Sequence, residues 1–107
     1  MTIEQRTLER LQHLQALYHR GYQSDVVDRS LDKIIALESA AAERELADLQ
    51  GRLEAFEGRY GMSSAEFYRR FRAGELGDTA DFVEWSVFYE MYESVRERLE
   101  MLTTDAA

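Results

Sequence analysis

The chain has 107 residues, enough for one domain and too few for two packed ones. Hydrophobic residues make up 45% and aromatics 11%, so it can fold; without proline or cysteine it has no disulfide framework, thiolate metal site or cysteine nucleophile. The 13 basic and 21 acidic residues give a net charge of −8, which argues against broad binding to a phosphate backbone.

The first ten residues are charged almost at once and lack a signal-peptide core. No apolar stretch approaches the ~20 residues that cross a bilayer. The expectation is a soluble, cytoplasmic protein with no membrane contact. Charge is uneven: residues 1–35 hold five basic and five acidic groups, and the whole acidic excess follows them.

An absence of proline, with abundant Ala, Leu, Glu, Arg and Gln, favours long helices. A first helix is expected over residues 3–20, where Leu8, Leu11, Leu14 or Gln15, and Tyr18 share a face. Gly21 suits the position after its end, and Ser24 suits the cap of the next helix.

A second helix is expected over residues 24–60. Ala42, Leu46, Leu49, Leu53, Phe56 and Tyr60 alternate steps of four and three, the seam of a coiled coil or long bundle helix. Val27, Leu31 and Ile34 continue it in a rotated phase, and Gly51 permits a gentle bend. A stripe this long needs either the other helices or a second copy. Leu46, Leu49, Leu53 and Phe56 are therefore the candidate dimerisation residues.

A third, short helix is expected over residues 63–74, opened by a Ser63–Glu66 capping box and closed near Gly74 and Gly77. It carries Phe67, Phe71 and the basic cluster Arg69, Arg70 and Arg72, which local ion pairing accounts for better than phosphate binding. A fourth helix is expected over residues 79–102 with Asp78 as its cap and Asp81 at the third position. Phe82, Trp85, Phe88 or Tyr89, Tyr92, Val95, Leu99 and Leu102 form its stripe. Val83, Val87 and Met91 widen that stripe, which suggests burial on more than one side. Residues 103–107 are expected to fray.

No chemistry is legible. His13 and His19 lie on different faces of the first helix, and the glutamates of the fourth lack the Glu-x-x-His spacing of a carboxylate-bridged metal site. There is no phosphate-binding glycine loop and no nucleophile motif. Neither an enzyme nor a cofactor is expected. The aromatics of the fourth helix serve the core, a partner interface, or each on a different face.

The run from Phe56 through Tyr60-Gly61-Met62-Ser63 to Phe71, continued by Gly74-Glu75-Leu76-Gly77-Asp78 and Asp81-Phe82-Val83-Glu84-Trp85, resembles small helical antitoxins of two-gene toxin–antitoxin modules in cyanobacteria and archaea. Partners of that family include TumE-like toxins, and the resemblance spans most of residues 22–102. It implies a non-catalytic protein that neutralises a cognate toxin, RNase-like or otherwise acting on RNA, by occluding it. Acidic side chains would take the phosphate positions of a basic toxin and aromatics would anchor the complex. The candidate partner-binding residues are Phe67, Phe71, Phe82, Glu84, Trp85, Phe88, Tyr89 and Tyr92. Antitoxins often bind their own operator, but residues 1–35 are charge-neutral and show no basic arm or helix-turn-helix, so DNA binding without the toxin is expected to be weak.

The reading is an all-α fold: a single domain with a long central helix in a helical hairpin or bundle, two shorter C-terminal helices, and a homodimer. The alternative function is a homo-oligomeric coiled-coil or helical scaffold.

Overall fold

A computed structural model describes residues 2–104. Four helices follow in order: α1 Ile3–His19, α2 Asp25–Tyr60, α3 Ser64–Arg72 and α4 Ala80–Thr103, with no strand among the described residues. Each boundary lies within two residues of its expected place. The chain divides into two compact units at Ile34/Ile35, inside α2, where the sequence suggested one domain.

In the first unit, Thr2 opens α1 with a reciprocal cap: its hydroxyl accepts the Gln5 N–H and its own N–H donates to Gln5 Oε1. The helix closes at Gly21, whose φ of 94° lies in the left-handed region. The Gly21 and Tyr22 amides donate to the carbonyls of Tyr18 and Leu17, the paired bonds of a Schellman turn. The Tyr18 hydroxyl then holds the hairpin shut. It donates to Asp28 Oδ1 at 2.6 Å and accepts the Ser24 N–H at 3.1 Å. The bond to Asp28, with some burial, raises the Tyr18 pKa above its ordinary value. Ser24 caps α2 as expected, accepting the Val27 N–H.

The second unit contains the core. Leu53, Phe56, Phe67 and Trp85 form one buried cluster, and Ala42, Leu49 and Val95 form another. Trp85 is fully buried, stacked on Phe67 at 3.8 Å between ring centroids and on Phe56 at 5.5 Å. Burying one such ring removes about 150–250 Å² from water, roughly 4–6 kcal/mol as an upper estimate. The indole N–H donates to Ser64 Oγ at 2.9 Å, and the Ser64 N–H donates to Glu57 Oε2, so the polar groups beside the rings have partners.

Local chemistry sets the turns of this unit. Gly61, at a φ of 67°, ends α2 with its N–H on the Glu57 carbonyl. Ser63 caps α3 through the Glu66 N–H, but only this half of the expected capping box forms, because Arg69 and Arg70 take the Glu66 carboxylate. Gly74, at a φ of 76°, ends α3 with a second Schellman turn. Thr79, not the expected Asp78, caps α4 by accepting the Phe82 N–H. Thr79 holds the extended backbone that a cap requires.

Two exposed ion pairs follow the antiparallel course that core packing gives residues 45–60 of α2 and α4. Arg59 meets Asp81 at 2.8 Å near one end, and Glu45 meets Arg98 at 3.0 Å near the other. Tyr60 also donates to Asp81, and the Arg52 guanidinium lies 5.0 Å from the Phe88 ring centroid. α4 continues through Thr103, and the part of the expected frayed tail at 105–107 lies outside the described residues.

Candidate partner-binding surface

The structure brings the sequence-chosen aromatics together, but mostly facing inward. Phe67 and Trp85 are 0% exposed, so neither presents a surface to a partner. Phe71, Phe82, Phe88, Tyr89 and Tyr92 are partly buried and pack against the same cluster. Glu84 alone of that set is exposed.

The seam of α2 is covered in the same way. Leu49, Leu53 and Phe56 are buried and Leu46 is half-buried, packed against side chains of α3 and α4 in the same chain. A dimer built on these four would have to displace their own core partners. The seam spacing is real, and its partner in this structure is internal.

The surface left over is the outward face of α4. Val83, Val87 and Met91, four residues apart, remain 46%, 47% and 47% exposed. The expectation that they widen a buried stripe does not hold: α4 meets α2 and α3 on one side only. Glu84 borders this apolar line on one flank, Glu90 and Glu97 on the other, by 3.6-residue geometry. A shallow depression beside it is lined by Glu45, Val87, Glu90, Met91, Ser94 and Arg98. The sequence signal for it was available: residues at i, i+4 and i+8 opposite the Trp85–Tyr92–Leu99 line.

Partnering divides the nearby carboxylates. Arg96 bridges Glu93 and Glu100, each at 2.8 Å, and Tyr68 donates to Glu90 at 2.7 Å. Among the described residues, Glu84 and Glu97 have no ion-pair partner. The bond to Glu90 raises the Tyr68 pKa, and desolvation raises that of Tyr89, which lies 4.9 Å from Tyr68 between ring centroids. The Glu66 carboxyl is held down at about 2 by hydrogen bonds from Arg69 and then Arg70. Two of the three cluster arginines are thereby engaged locally, as expected.

No group of three or more His, Asp or Glu side chains could hold a metal ion among the described residues. His13 and His19 are exposed on α1. No described helix is long and apolar enough to cross a membrane.

No protein-family model matches this sequence, and no curated protein or solved structure matches it either.

Proposed function

We propose that this chain is an antitoxin: a binding protein that neutralises a basic, RNA-acting toxin by covering its active site. The single observation that carries the reading is the outward face of α4, a line of half-exposed Val83, Val87 and Met91 flanked by carboxylates. Apolar anchors ringed by charge are the usual anatomy of a transient interface. Residues 35–107 hold 16 acidic and 8 basic groups, so the unit that bears this face also carries the whole net charge of the chain. Carboxylates at fixed positions on a helix match a surface built to hold phosphates, and they would speed encounter with it.

The interface thus sits on the opposite face of α4 from most of the aromatics that the sequence suggested. Glu84 stays in it; Trp85 and Phe67 serve it only by keeping α4 in place.

The test begins with gentle purification from the native host, identifying any small basic protein that co-elutes in near-stoichiometric amount. That protein should arrest growth when expressed alone, and co-expression of this chain should relieve the arrest. Replacing Val87 and Met91 together with arginine should weaken the complex by about 30-fold or more, the loss of a hot-spot anchor. A chain that recovers no such partner, or a complex that the double replacement leaves intact, would sink the reading. The first result would favour the homo-oligomeric scaffold.

A further inference from the structure

We propose that the hairpin formed by residues 3–34 is a self-association unit, its apolar face covered by the same face of a second copy of this chain. The proposed contact surface lies wholly within residues 3–34, apart from the face of α4 assigned to the toxin.

The first observation is burial. No residue of α1 is buried, and Ile3, Leu8, Leu11 and Ile34 are 83%, 56%, 51% and 53% exposed. The two helices meet along Leu11, Leu14, Tyr18, Val27 and Leu31, which line an open apolar groove. Folded helices that leave such a groove open have an unfilled side. The polar contacts at the turn fix the hairpin's geometry without covering it.

Charge then selects the occupant. Residues 1–34 carry five basic and five acidic groups, while residues 35–107 carry the entire −8. Two copies joined through the later residues would set one acidic surface against another. Joined through the hairpin, the segments that face each other are neutral overall, and mixed signs on one face can pair across a two-fold axis, where each residue meets its complement reciprocally. A basic partner, in contrast, would be drawn to the acidic unit.

The area suits a weak, reversible dimer. The 17 residues of α1 make a helix about 25 Å long and residues 25–34 of α2 one about 15 Å long, each about 10 Å wide. That face is on the order of 400 Å² per copy, or about 800 Å² for the pair, the size of a weak, concentration-dependent association.

Sedimentation equilibrium of the full-length chain tests this at low and at high salt. The expected particle has twice the chain mass and persists at high salt, because apolar contact holds it and salt also screens the repulsion between two copies of net charge −8. Leu11→Glu combined with Leu31→Glu should weaken it by about 30-fold or more. Amide exchange of residues 49–56 and 85–95, which should stay slow, separates this from global unfolding. The milder Leu8→Gln should weaken the dimer measurably with helical content unchanged at high protein concentration. A wild-type monomer at high micromolar concentration, or a dimer indifferent to the Leu11 and Leu31 changes, would overturn the proposal. So would a dimer lost instead on Val87→Glu.

Discussion

Among the described residues from Ile35 onward, seven hydrophobic side chains are withdrawn from solvent, Trp85 and Phe67 among the largest, while α1 buries none. Both regions are helical, both begin α-helices with well-formed caps, and both end helices with left-handed glycines. The difference is therefore not one of helix propensity. It lies in where the chain supplies third-helix partners: α3 and α4 bring Phe67, Phe82, Trp85 and Phe88 onto the stripe of α2, whereas residues 3–34 hold no third helix of their own. Short helices owe most of their stability to such packing, so these regions should respond very differently to the same kind of change.

The largest contrast should come from truncating one core residue in each. Trp85→Ala removes the ring stacked on Phe67 and Phe56 and leaves the Ser64 hydroxyl without its donor. It should cost about 3–5 kcal/mol, read by urea denaturation followed by circular dichroism. Leu14→Ala, on a half-buried hairpin side chain, should cost less than about 1 kcal/mol in dilute solution, since little burial is lost. A cost that rises with protein concentration would instead show that a second copy covers Leu14.

A smaller effect of opposite sign is expected at Gly51. It lies inside α2, in the acidic unit, and a Cβ added there would meet open space, as it would at Gly58. Gly51→Ala should stabilise by about 1 kcal/mol, raising the melting temperature of that unit by several degrees. Amide exchange should slow there and remain unchanged in residues 3–20.

The smallest contrast should appear in acid. The folded-state pKa of Glu66 is depressed to about 2, and that of Asp81 is lowered by hydrogen bonds from Tyr60 and then Arg59. A depressed carboxyl contributes stability above its ordinary value, near 4.5 for Glu66, and loses it as pH falls toward the folded value. Acid should therefore weaken the acidic unit through these groups, modestly because both are solvent-screened. Thermal scans of Glu66→Gln should show a shallower decline between pH 4.5 and 2 than the parent; equal slopes would remove Glu66 from the account.

The helices were legible because the chain marks them locally. Glycines at 21, 61 and 74 stand where the backbone turns left-handed, and Ser24 and Ser63 cap as their positions imply. The Asp78 assignment missed because Asp and Thr are adjacent good caps and the spacing alone does not say which of them takes the extended backbone, which here is Thr79. The seam of α2 was legible as a stripe, but its partner was not. A spacing of three and four is the same whether the covering helix belongs to the chain or to a copy of it. The outer line of α4 was misjudged for a related reason: an apolar residue's periodicity gives its face, and only the number of neighbouring helices says whether that face is covered.

The stacked indole at the centre of the acidic unit has one further consequence. Trp85 is the only tryptophan in the chain and is fully buried in that unit, so its intrinsic fluorescence reports on the packing there. A melting curve recorded by emission and one recorded by total helicity need not coincide. Their separation would measure directly how independently the two units lose structure.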